Sequence, residues 1–140
     1  MSFRVICLSA ILYASTLSAD ESVKTEIIDR CKSQMGEYGA SMVKSCVDQD
    51  LAAVEKIQSI DDEHKPILDR CMGQMREYGY SMVKSCVDQD IDALNAINNY
   101  SDEHKVFVEH CQDRMGEYGY SMVKSCADQD IEADEALKKY

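Results

Sequence analysis

The sequence predicts an all-α fold: three tandem 40-residue αα-hairpin repeats, six helices in all, forming a short solenoid or a compact bundle with one disulfide inside each hairpin. Three observations carry that prediction. A sixteen-residue segment runs from Met75 to Asp90 and recurs at Met35 to Asp50 and Met115 to Asp130, with thirteen of its sixteen positions identical in all three copies. A fixed period of about 20–50 residues marks stacked repeats. Apolar residues on either side of the segment recur at steps of three and four, which is the spacing of one helix face. Each copy also carries one Cys-x14-Cys pair.

Residues 1–19 stand outside the repeats. Arg4 supplies a positive charge, Val5 to Leu17 is a nearly unbroken apolar or small-residue run, and Ser18-Ala19 precedes the acidic Asp20-Glu21. That order is a secretory signal peptide cleaved after about Ala19. The run falls short of the ~20 apolar residues that a spanning helix needs, so no membrane insertion is expected after cleavage. The remaining chain divides into repeats at 20–60, 61–100 and 101–140, expected to form a single domain.

Within each repeat the first helix is marked by Ile27, Ile28, Cys31 and Met35, by Ile67, Leu68, Cys71 and Met75, and by Phe107, Val108, Cys111 and Met115. Asp61 or Asp62, and Ser101 or Asp102, are suitable N-caps. Pro66 is tolerated only in a first turn, which places the start of its helix near Glu63. Tyr38-Gly39, Tyr78-Gly79 and Tyr118-Gly119 end these helices, the glycine being free to take a left-handed conformation. Ser41, Ser81 and Ser121 are then placed to cap a longer second helix, whose apolar face in the middle copy is Met82, Val83, Cys86, Val87, Ile91, Leu94 and Ile97. In the last repeat Asp134 replaces Val54 and Leu94, and Ala127 replaces Val47 and Val87, as suits a solvent-facing end.

Cys7 belongs to the leader, and the other six cysteines allow fifteen pairings. Repeat symmetry selects Cys31–Cys46, Cys71–Cys86 and Cys111–Cys126, because pairing across repeats strands the two end cysteines. Each cysteine lies about two helical turns from its bend, so the two face each other. Such bridges belong to an oxidising compartment, and the expected location is secreted or periplasmic.

The formal charge is −11, and loss of Arg4 with the leader makes it −12. An acidic chain repels phosphate and anionic lipid, which excludes nucleic acid as a partner and leaves an unknown protein partner, a cationic one being compatible with the charge. No cofactor is expected. The sequence has no Cys-x2-Cys pair, no HExxH and no phosphate-cradling glycine loop, and His64, His104 and His110 form no repeated constellation, so an enzyme is not expected.

The first helices differ between copies while the turn and early second helix hardly change. Packing and bridging account for the Gly, Cys, Met and Val of that segment but not for its polar residues. Asp50 falls near the apolar face, where it can accept hydrogen bonds from a neighbouring turn, from Tyr38 or from backbone amides. Lys44 and Asp48 form an i,i+4 pair. These polar groups either lock one repeat onto the next or form a binding strip, comprising Tyr38, Lys44, Asp48, Tyr78, Tyr80, Lys84, Asp88, Tyr118, Tyr120, Lys124 and Asp128. On this reading the protein is a non-catalytic interaction or scaffold module. The alternative is a soft-metal protein of the cell envelope. Each repeat holds a Cys-x3-Met and Met-x3-Cys quartet: Cys31, Met35, Met42 and Cys46; Cys71, Met75, Met82 and Cys86; Cys111, Met115, Met122 and Cys126. Thiolate and thioether ligands select Cu(I). The two readings make opposite demands, one needing oxidised cysteines and the other reduced.

Overall fold

The computed structural model describes the backbone of residues 17–140 and the side chains from residue 21 onward. The expected leader, with Arg4, Cys7 and the cleavage point, lies outside the described residues except for the backbone of 17–19. Among the described residues six α-helices and no strands are present: α1 Leu17–Met35, α2 Ala40–Gln58, α3 Lys65–Met75, α4 Tyr80–Asn98, α5 Asp102–Met115 and α6 Tyr120–Leu137. None of these helices is long and apolar enough to cross a membrane. The helices form three hairpins, each stapled by its own disulfide: Cys31–Cys46, Cys71–Cys86 and Cys111–Cys126, with Cα–Cα separations of 5.7, 5.8 and 5.8 Å. The bridges fit an oxidising compartment.

The chain divides into two compact units, Met1–Val47 and Asp48–Tyr140. In the first, Ile27 and Cys31 of α1 are fully buried and the Cys31–Cys46 bridge ties α1 to the start of α2. In the second, α4 packs against α3 and α6, and α5 packs against α6. Two small cores result. Ile67, Cys71, Val83 and Val87 form one, with Ile57, Ile60 and Leu94 packed on it. Ile97, Cys111, Val123 and Ala127 form the other, joined by Tyr100, Phe107 and Val108. Tyr120 packs on both clusters. The residues that end one repeat (Ile57 and Ile60, then Ile97 and Tyr100) thus complete the core of the next.

Each bend is a single 3-10 turn, at Gly36–Tyr38, Arg76–Tyr78 and Gly116–Tyr118, followed by a glycine. Those glycines differ from the left-handed helix cap expected from sequence. Gly79 has φ 118° and ψ 160°, and Gly119 has φ 107° and ψ 169°. That region combines positive φ with extended ψ and is essentially reserved for glycine. At Gly119 a Cβ would also lie 2.6 Å from the Arg70 guanidinium and from the Asp90 carboxylate. Both the backbone conformation and the close approach therefore require glycine there.

Two expectations at helix starts are corrected. A 3-10 turn at Asp62–His64 precedes α3, which begins at Lys65 with Pro66 in its first turn. More consequentially, Ser81 and Ser121 do not cap α4 and α6. α4 and α6 start at Tyr80 and Tyr120, their N-cap positions are Gly79 and Gly119, and neither has a side-chain cap from its own turn. Ser81 and Ser121 lie inside the first turn and use their backbone N–H groups instead.

Removing the middle bridge as Cys71→Ala with Cys86→Ala should lower the unfolding free energy by about 3 kcal/mol, the chain-entropy value for a loop of this length. Urea titration followed by circular dichroism measures it, with helix content at zero urea retained.

Candidate functional site

A helix start leaves backbone N–H groups without intrahelical partners and carries a partial positive charge. Here the preceding repeat supplies the acceptor. Asp50 is 1% exposed and accepts hydrogen bonds from the Tyr80 N–H at 2.8 Å and the Ser81 N–H at 3.0 Å. Asp90 is 2% exposed and does the same one repeat later, accepting from Tyr120 N–H at 2.9 Å and Ser121 N–H at 3.0 Å. The backbone donors, one of the two kinds considered from sequence, are the ones seen.

Asp90 has a further partner. The Arg70 guanidinium donates to its Oδ2, and also to Gln74 Oε1 at 2.7 Å and to the Tyr118 carbonyl at 3.2 Å. Arg70 Nη2 stands 3.5 Å from Cys71 Sγ, so the ion pair lies against the disulfide. One carboxylate therefore joins α4, the start of α6, the turn before it and α3. Burying an unpaired carboxylate is costly, and this one is compensated by two amides and a cation.

The expected binding strip separates into inward and outward members. Tyr80 is buried and Tyr120 half-buried in the cores, so both are packing residues. Lys84 pairs with Asp88, and Lys124 Nζ lies 2.6 Å from Asp128 Oδ2, each an i,i+4 pair along its helix. Lys44 and Asp48 are exposed. The Tyr100 hydroxyl donates to Asp128, giving that carboxylate a contact with the end of the preceding repeat. Burial opposes ionisation of Asp128, but hydrogen bonds from Lys124 and Tyr100 outweigh it and hold the carboxyl below its ordinary range. Burial and then the Asp128 hydrogen bond push the Tyr100 phenol up.

Tyr38, Tyr78 and Tyr118 face outward, at 64%, 57% and 54% exposed. Each is joined by a methionine of the following helix, Met42, Met82 or Met122, at 48%, 47% and 43%. Sequence reasoning placed these methionines on the apolar face or in a metal quartet. The signal that separates them is spacing: Val83, Val87, Asp90, Leu94 and Ile97 form one stripe, and Met82 lies off it. In the second unit Met75, Met82, Gln89, Tyr118 and Met122, with Arg70, line an open cleft of about 300 Å3. Glu77 and Glu117 hydrogen-bond to the tyrosines beside them and raise the Tyr78 and Tyr118 phenols, so each turn displays an acidic and aromatic pair.

The sulfur quartets are not assembled as ligand sets. All six cysteines are bridged, and Met42, Met82 and Met122 face solvent. Cys111, Cys126 and Asp130 bring ligand-type atoms within 4.8 Å of one another, but the two sulfurs are joined to each other and offer no thiolate. No protein-family model matches the chain, and no curated protein or solved structure matches it either.

Asp90→Ala should destabilise the fold by about 3–5 kcal/mol, because it strands the largely buried Arg70 as well as two helix-start amides. Asp90→Asn, which keeps an acceptor, should cost less, and chemical denaturation ranks the two. The depressed Asp128 carboxyl contributes stability that is present above the ~3.9 of an unfolded aspartate and lost as pH falls through the folded value. Tyr100→Phe should move the Asp128 titration upward toward that ordinary value, as read by carboxyl carbon NMR.

Proposed function

We propose that the chain is a non-catalytic interaction module of an oxidising compartment, secreted or periplasmic, that binds a protein partner through its Tyr-Gly turns and the first turns of its second helices. The observation that carries this reading is the exposure, in every repeat, of a tyrosine and a methionine side by side. Tyrosine offers a large rigid contact area with a polar tip, and methionine adapts to irregular surfaces. A single exposed apolar residue needs no explanation, but the same pair exposed at a fixed period supports a contact surface. Lys84 pairs with Asp88 and Lys124 with Asp128, so these charges form the rim of that surface and not its anchors.

The chemistry of the partner follows from charge. Glu37, Glu77 and Glu117 adjoin the three exposed tyrosines, and the chain carries −11 overall. A cation placed over a tyrosine ring is attracted by its π face, and a neighbouring carboxylate adds to that attraction. The partner is therefore a protein with a basic surface segment whose Lys or Arg side chains reach the turns. Long-range attraction of opposite net charges speeds the encounter and weakens with salt.

The test is affinity purification from the protein's own compartment with two baits, the unaltered chain and a variant carrying Tyr78→Ser, Met82→Ser, Tyr118→Ser and Met122→Ser. The expected result is a basic protein retained by the first bait, eluted by salt and lost from the second, while urea titration gives the two baits the same unfolding free energy within about 0.5 kcal/mol. Identical retention by both baits refutes the assignment of this surface.

A further inference from the structure

Each repeat boundary within the second unit is built from the same parts. The donating side supplies a buried aspartate and, further along the chain, a small residue, an aliphatic residue and the residue that ends the repeat. These are Asp90, Ala93, Ile97 and Tyr100, of which Ala93 and Ile97 are 5% and 8% exposed. Asp50, Ala53, Ile57 and Ile60 are the corresponding set one repeat earlier. The receiving side supplies the two amides after the turn glycine and two core residues of the second helix, Val83 with Val87 or Val123 with Ala127, all at most 1% exposed.

Both halves of this contact also occur on open surfaces. In and just after α6 the donating set recurs as Asp130, Ala133, Leu137 and Tyr140. Leu137 is 67% exposed, Tyr140 and Ala133 are exposed, and the Asp130 side chain is 38% exposed. Asp130 faces His110 Nδ1 at 3.7 Å, where Asp90 has Arg70 and two amides. In α2 the receiving set recurs as the Ala40 and Ser41 amides with Val43 and Val47. Ala40 and Ser41 are exposed, and both valines are half-buried where their counterparts are closed off.

We propose that these two surfaces are partners in trans: the face of α6 carrying Asp130 and Leu137, with Tyr140 beyond its end, on one copy docks on the Gly39-Ala40-Ser41 turn and Val43 of a second copy, reproducing the internal repeat contact. The occupant is identified by continuity with that contact, since the same residue types at the same spacing already hold α4 and α6. The contact joins different surfaces, so it is heterologous and propagates to dimers, trimers and longer species unless it closes as a ring. Two residues limit its strength. Asp134 stands where Leu94 packs on a core, and Ala40 stands where Tyr80 and Tyr120 are found. The shared negative charge also opposes association, so added salt strengthens it.

The experiment is sedimentation velocity and equilibrium on the purified chain from about 1 μM to 1 mM, the range in which weak contacts report. The expected result is a concentration-dependent ladder of species that shifts to larger sizes at high salt. Asp130→Ala should move the ladder to about tenfold higher concentration, the effect of losing one helix cap. Ala40→Tyr should move it to lower concentration and Leu137→Asp should abolish it. Each variant is checked for an unchanged unfolding curve, and Ala40→Tyr, which adds an interaction, keeps the test valid if a loss variant unfolds. A chain that is monomeric throughout the range overturns the proposal. So does a ladder or a discrete oligomer that is indifferent to Asp130→Ala and Ala40→Tyr.

Discussion

A buried carboxylate must find donors, and Asp50 and Asp90 find them at the start of the next repeat's second helix. Much of the conserved-looking segment follows from that one requirement. The amides must point at the carboxylate, so the helix must begin at the residue after the glycine. The carboxylate and Arg70 must approach the backbone closely, so position 119 admits no Cβ. Arg70 must reach Asp90 while lying against the bridge, which ties the polar lock to Cys71. The lock therefore couples the middles of α3 and α4 to the start of α6 through a few polar atoms. A charge held in this way is useful less for net stability than for fixing one register of packing, since a slipped helix would leave it unpaired.

The apolar cores around the lock are small. Four buried residues anchor each cluster in the second unit, and one of the four is a bridged cysteine. A hairpin with so little to bury gains from a cross-link that limits its unfolded chain. The bridges serve both purposes, because Cys31, Cys71 and Cys111 are fully buried while joining the two helices of their hairpins. Neighbouring repeats supply the rest, as Ile57, Ile60, Ile97 and Tyr100 close cores that their own hairpins do not contain.

With locks and cores accounted for, the outward faces of the turns remain. Tyr78 and Tyr118, with Met82 and Met122, take no part in the two clusters described in the second unit, and Tyr38 and Met42 are likewise exposed. The tyrosines stand in the 3-10 turns before the second helices, and Met42, Met82 and Met122 lie in the first turns of those helices. The repeated segment thus carries both the inward lock and these exposed side chains. On the function proposed here, the lock and the contact surface both constrain the segment Met75 to Asp90.

The helices, the hairpins, their bends and the pairing of cysteines were legible in the sequence, because period, helical spacing and repeat symmetry are local properties of the chain. Asp50 was legible in part: its place near the apolar face showed that it needed donors, and backbone amides were one option. The sequence alone did not reveal that a preceding repeat's aspartate caps the second helices in place of Ser81 and Ser121. A serine before a helix is a local signal, whereas Asp90 reaches Tyr120 across thirty residues and only packing brings them together. The division of the tyrosines was likewise tertiary. Tyr78 and Tyr80 are two positions apart, yet one is exposed and the other buried, because Gly79 lies between them in a conformation that reverses the chain. The repeat period determined which residues recur, and the packing of one hairpin on another decided which of them face inward.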